Sequence, residues 1–332
     1  MGTVSERTRS VLVAVVLVAI YVALTTLRQA GAIDEYWSQV MDLSLIITIS
    51  AVGLSLIYGF TGQFSLGHAA FYGIGAYVAG YVTKTLGGSL PLYVLALAAG
   101  AAFAAAVAFL IGLPILRLRS DYLGIATLGF GIIVKVVMDN TDKFLPAMGG
   151  PRGMLGIPQV TTFGWIYWAA VATIVLARNL VHSSPGRAAI AVREDEIAAD
   201  IMGIDTTRYK TLMFVLGAGL AGLAGGLYAH RYPFLHPTSF DFLKSLDVLL
   251  IVVLGGLGSL TGTVVTAIGW VFLLEWLRNV LPQDFLDWRG VIYALVLIVL
   301  MILRPQGLLG GRELVLVPRR EPAKGGSSHA AA

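Results

Sequence analysis

Long apolar runs separated by short polar intervals organise this chain. Ten runs stand out, at residues 11–27, 41–58, 65–83, 90–116, 122–138, 163–181, 211–230, 246–258, 262–281 and 289–303. Most come close to the roughly 20 residues that a helix needs to cross a bilayer. The pattern therefore predicts an all-α, polytopic membrane protein with about ten transmembrane helices. Glycine-rich interruptions predict a broken helix near 59–64 and another near 255–262. Residues 246–281 are read as two crossings that turn at GGLGSLTG; a re-entrant hairpin is the other arrangement the spacing allows.

Composition agrees with the pattern. Hydrophobic residues make up 57 % of the chain, charged residues 13 %, and the mean hydropathy is +0.81, outside the range of soluble domains. Residues 1–303 are one membrane domain, 182–210 a cytoplasmic loop within it, and 304–332 a polar cytoplasmic tail. So little lies outside the runs that any soluble machinery belongs to other chains.

Charge orients the spans. Arg7 and Arg9 precede the first run and place the N-terminus in the cytoplasm by the positive-inside rule. Ten crossings then put Arg117, Arg119, Arg187, Arg193, Arg208 and Lys210 inside, with the C-terminal tail and its Arg304, Arg312, Arg319, Arg320 and Lys324. Arg28, Arg152 and Arg231 fall outside and break the rule. The net charge of +4 is thus explained by span ends, and no nucleic-acid surface is needed. There are no cysteines, so thiolate metal sites and disulfides are excluded. The first run is kept as a span because LTTLRQAGAIDEYW offers no small-residue cleavage site.

Two loops are long enough to meet other proteins. Residues 139–161 are rich in Gly and Pro, lie on the outer side, and read either as a docking loop or as a plain connection. On the inner side, 182–210 starts with Ser184 and Pro185, an N-cap and first-turn proline, and ends a helix at Gly203. One or two short helices lie between them. Ile197, Ala198, Ile201 and Met202 share a face, and Glu194, Asp195, Glu196 and Asp200 carry the charge. This is a docking helix or a solvated surface helix.

None of the six lysines sits in a phosphate-binding G-x-x-x-x-G-K-[ST] loop, so the chain is not an ATPase. Lys135, Asp139, Asp247 and Glu275 lie near span ends and read as snorkelling side chains, not as the buried charges of an ion-coupled carrier. At the start of the third run and just ahead of it, Gln63, Ser65, His68 and Tyr72 are polar groups that lipid cannot satisfy. They line a translocation path or tie helices together. The other histidines, at 182, 230, 236 and 329, form no ligand pattern with His68, so no metal site is expected. GQFSLGHAAFYGIG from Gly62 and GLGSLTGTVVTAIG from Gly256 share five of fourteen positions, a faint echo of the repeated broken helices found in transporters.

Three blocks carry a resemblance: GFTGQFSLGHAAFYGIGAY at 59–77, SPGRAAIAVREDEIAADIMGIDTTRYK at 184–210 and VVLGGLGSLTG at 252–262, with RPQGLLG at 304–310 behind them. The chain resembles permease subunits of branched-chain amino acid ABC importers, the LivM-type family, from about residue 40 onward. AMGGPRGMLGIP at 147–158 departs from the TGG-type sequence expected there.

The resemblance implies that 182–210 is the coupling loop. Ile197-Ala198-Ala199 followed by Gly203 keeps the spacing of the importers' EAA-x-x-x-G pattern without its glutamate. Glu194, Asp195, Glu196, Ala198, Ala199 and Gly203 are then the residues that engage the ATPase. It also implies a bacterial inner-membrane protein with a second, related permease, two ATPase subunits and a soluble substrate-binding protein. ATP and magnesium belong to the ATPases, and this chain carries no cofactor. The substrates implied are branched-chain amino acids, with urea or a short-chain amide as the alternative. A channel or ion-driven carrier would have no ATPase beside it, and a structural or receptor protein would not need a coupling helix.

Overall fold

A computed structural model describes residues 6–116, 118, 120–280, 295, 298–299, 302–304 and 306–310. All but a few residues of the tenth run, and the tail from 311 onward, lie outside the described residues. The other nine runs are helical. In chain order the helices are α1 (Glu6–Gln29), α2 (Glu35–Leu54), α3 (His68–Leu86), α4 (Leu90–Ile115), α5 (Ser120–Asp139) and α6 (Phe163–His182). The short α7 (Ser184–Glu194) and α8 (Glu196–Ile201) follow, then α9 (Thr206–Ala229), α10 (Phe242–Gly255) and α11 (Leu260–Val280).

Among the described residues seven helices are long and apolar enough to cross a membrane; α3 and α10 are outside that group. The reason for α10 is length: 14 residues rise only about 21 Å at 1.5 Å each, short of the roughly 30 Å hydrocarbon core. α3 has the length, at 19 residues, but His68, Lys84 and three tyrosines dilute its apolar character. His68, its first residue, is fully buried and its Nε2 pairs with the Ser50 carbonyl at 2.9 Å, deep along α2. Non-α backbone precedes both helices, an irregular stretch at 60–67 before α3 and a 3-10 turn at Pro237–Phe240 before α10. Such backbone persists at this depth only where protein or a cavity surrounds it.

The core is built on α9, which packs against α2, α3 and α4. Small residues let the backbones touch. A Cβ on Gly217 would lie 2.4 Å from the Gly53 carbonyl oxygen, and one on Gly222 would lie 3.0 Å from that of Gly100. At Gly225 it would overlap the carbonyl oxygen of Tyr72. Close approach of this kind replaces the hydrophobic driving force that lipid removes. By contrast α1 touches the bundle mainly through α6, with Tyr21 stacked on Phe163 and the Tyr167 hydroxyl donating to the Leu17 carbonyl.

Loops expected on one side of the membrane do meet at one end. At the end holding 182–210, Gly59 lies against Gly258, and the Leu308 amide donates to the Leu254 carbonyl at 2.7 Å. At the opposite end, β1 (Met154–Leu155) pairs antiparallel with β2 (Phe234–Leu235), and Lys84 donates to the Ala147 carbonyl at 2.6 Å. The 139–161 loop is therefore held by short-range structure, with 3-10 turns at 141–143, 146–148 and 150–152 ahead of β1. The turn between α10 and α11 sits at the first end, whereas Glu275 of α11 accepts from Tyr36 at the start of α2. The two helices thus run antiparallel from that turn.

Two of the three arginines that break the positive-inside rule are neutralised internally. The carboxylate of Asp42, 1 % exposed, receives Arg28 at 2.8 Å and Arg231 at 2.7 Å. Arg28 also lies 3.9 Å from the centre of the Phe163 ring.

Candidate functional site

The first break is a graded unwinding of α2. Its last turn widens into a π-helical turn at Ser55–Gly59, with the Phe60 amide bonded five residues back to Ser55. Single π turns of this kind mark functional sites. The Thr61 hydroxyl donates to the Ile57 carbonyl and ends the helix. Gly62 then takes φ +70°, a left-handed conformation that L side chains disfavour.

The extended stretch that follows is pinned to α5, where the Leu66 amide donates to Thr127 Oγ1 at 3.0 Å. α3 starts next, with the Ala69 amide donating to Ser245 Oγ of α10 at 3.0 Å. One broken helix thus caps the other.

Gln63, Ser65, His68 and Tyr72 are all at most 3 % exposed. Each carries a buried polar atom without a hydrogen-bond partner among the described residues: both amide atoms of Gln63, Ser65 Oγ, His68 Nδ1 and the Tyr72 hydroxyl. Buried polar groups are satisfied in the great majority of cases, so four orphans within ten residues need a reason. Position supplies one. Gln63 borders a cavity of about 970 Å³ at the end that holds the 182–210 loop, and Tyr72 borders one of about 400 Å³ towards the other end. Gln63 and Tyr72 thus mark the two ends of this segment, each at a cavity.

In the 182–210 loop the N-cap of α7 is Ser183, one residue earlier than the expected Ser184, because Ser183 holds the extended conformation that a cap requires. Ser184 and Pro185 open the helix. Asp195 is likewise not a polar-face residue. It separates α7 from α8 and caps α8 by accepting from the Ile197 and Ala198 amides at 2.9 and 3.0 Å.

Gly203 ends α8 as expected, at φ +83°. The Ile204 amide bonds to Ala199 and the Gly203 amide to Asp200, the paired bonds of a Schellman stop. Ala199 is buried beneath the helix, so among the predicted coupling residues it supports α8 from within. Ile197, Ile201 and Met202 point outward at 74 %, 80 % and 80 % exposure. Glu194, Glu196 and Ala198 are also exposed beside them; Glu196 pairs with Lys210 at 2.5 Å, which braces α8 on the start of α9.

Sequence reasoning missed what joins the loop to the breaks. Arg193, the penultimate residue of α7, donates from Nη1 to the Gly59 carbonyl at 2.6 Å. Its Cγ would lie 3.2 Å from a Cβ on Gly62, and its Nη1 2.6 Å from one on Gly258. One side chain therefore touches both broken helices. Glu194 holds the other side of the guanidinium at 2.5 Å.

Residues 36–301 match the family model described as branched-chain amino acid transport system, permease component. The chain is 34 % identical to the high-affinity branched-chain amino acid transport system permease protein LivM of Escherichia coli K12, over 94 % of this chain and 77 % of that one. It is 35 % identical to LivM of Salmonella typhimurium, over 88 % and 73 %. A second permease protein of E. coli, LivH, is 27 % identical over 82 % of this chain and 94 % of its own. No solved structure gives a significant match.

Proposed function

Because the chain belongs to the family of branched-chain amino acid transport permeases, we propose that it is the membrane subunit of an ATP-driven importer of leucine, isoleucine and valine. It works beside a second, related permease, two ATPase subunits and a soluble binding protein. It lies in the bacterial inner membrane with the 182–210 loop and both termini in the cytoplasm, the orientation its arginines favour. Support for a non-identical partner comes from its similarity to both LivM and LivH of one organism.

The observation that carries the mechanism is Arg193 on the Gly59 carbonyl. α8 presents three exposed apolar side chains on a short helix capped at both ends, a rigid knob for a groove on an ATPase. Closure of the ATPases on ATP pushes that knob, and α7 moves with it. Arg193 passes the displacement to the π turn of α2 and to the turn between α10 and α11. Those two breaks border the Gln63 to Tyr72 segment, so their movement opens it to one cavity or the other in turn. Gln63, Ser65, His68 and Tyr72 supply the hydrogen bonds along the way. Magnesium and ATP act on the partner chains.

The test is a ligand screen on the partner binding protein by thermal stabilisation. Leucine, isoleucine and valine are expected to raise its melting temperature. Stabilisation by urea or short-chain amides alone would overturn the substrate assignment.

A further inference from the structure

The 400 Å³ cavity at the Tyr72 end has contents that the transport reading does not use. Its volume falls in the range of about 300–1,000 Å³ typical of small-molecule sites. Lys244 and Asp247 both line it, one helical turn apart on the same face of α10, and Asp241, the N-cap of that helix, lines it beside them. Both are half-buried, and neither is ion-paired or hydrogen-bonded through its side chain to another described residue. The buried, unpartnered hydroxyl of Tyr72 lines the same wall. Tyr228 and Tyr232, tilted against each other with 4.7 Å between ring centres, form another part of it, and Leu43 adds an apolar surface.

Partly desolvated charges are costly unless paired. Asp241 is engaged as the cap of α10, accepting from the Lys244 amide at 3.3 Å, which leaves Lys244 and Asp247 as the cation and anion open to a ligand, and one that carries both charges close together matches them. An amine alone would leave Lys244 without a counter-charge, and an acid alone would leave Asp247 without one. A neutral amide such as urea would satisfy neither. We propose that this cavity binds the zwitterionic head of an amino acid, with Lys244 on its α-carboxylate, Asp247 and the Tyr72 hydroxyl on its α-ammonium, and the side chain against Leu43 and the tyrosine rings. This deepens the transport reading and rests on it. The cavity is the station from which substrate enters the segment at Tyr72.

The absence of cysteine makes the site directly measurable. Ser239→Cys puts one thiol on the cavity wall, and its alkylation is followed by mass spectrometry of this chain in the assembled, reconstituted complex. Millimolar leucine is expected to slow alkylation by about tenfold, as near-saturation of a site requires. Leucinamide, which lacks the carboxylate, and 4-methylpentanoate, which lacks the amine, are expected to leave the rate unchanged. Lys244→Gln or Asp247→Asn should abolish protection by leucine, whereas Lys244→Arg and Asp247→Glu should retain it, which excludes simple misfolding. No protection by leucine, equal protection by all three compounds, or protection that survives both neutralising changes would overturn the site. ATP-driven leucine uptake is measured alongside. Uptake without protection overturns the site and leaves the transport reading standing; protection without uptake does the reverse.

Discussion

The guanidinium of Arg193 and the carbonyl of Gly59 are 2.6 Å apart, 134 positions apart in sequence, and join the coupling loop to the point where α2 unwinds. A hydrogen bond from a charged donor contributes about 1.5–3 kcal/mol, and 1.4 kcal/mol is a factor of ten. Arg193→Gln removes that charge and shortens the reach. Leucine moved per ATP hydrolysed by the reconstituted complex should fall by about tenfold or more, on the same conversion. An unchanged ratio would show that the contact transmits nothing.

Gly203 has open space around the position of a Cβ and a φ of +83°. The cost of Gly203→Val is therefore backbone strain, about 1–2 kcal/mol for the left-handed conformation, relieved by tilting or fraying α8. Transport and its coupling to ATP hydrolysis should be lost while the protein still inserts in the membrane. Undiminished uptake would sink the coupling role of this loop.

Ile201 is 80 % exposed on α8, so Ile201→Glu costs the isolated permease almost nothing in folding. The change instead places a charge where an apolar groove should close. Co-purification of the ATPase subunits with the variant is expected to fail, with the permease eluting as well dispersed as the unsubstituted chain.

Asp42→Asn would leave Arg28 and Arg231 facing an uncharged amide inside the protein. Breaking a buried pair by removing one partner destabilises by about 3–5 kcal/mol. The melting temperature of the detergent-solubilised protein should drop clearly, and a melting curve that does not move would show the cluster to be solvated.

Much of this was legible in the sequence, for identifiable reasons. Gln63, Ser65, His68 and Tyr72 stood out because polar groups are conspicuous in an apolar run, and Gly203 because only a few residues end helices in that way. The echo between Gly62 and Gly256 corresponds to two breaks that do lie together, although the serines differ: Ser259 Oγ accepts from the Gly262 amide at the start of α11, and Ser65 Oγ is unpartnered. What the sequence hid was contact between distant positions. Nothing in the sequence singles out Asp42, which pairs with Arg28 and Arg231 across the fold, although two arginines on the disfavoured side were a signal of a hidden counter-charge. Asp247 read as a snorkelling span end because α10 was expected to begin at 246, and the helix begins at Phe242 beside a cavity. Periodicity locates apolar faces but not the depth at which a helix starts.

The most direct measurement is uptake of radiolabelled leucine by proteoliposomes that hold this chain, its partner permease and the two ATPases, with the loaded binding protein outside and ATP within. Accumulation against a gradient that requires ATP, extends to isoleucine and valine, and is absent with urea is the result predicted. Accumulation that proceeds without ATP, or of urea and not of the three amino acids, would contradict it.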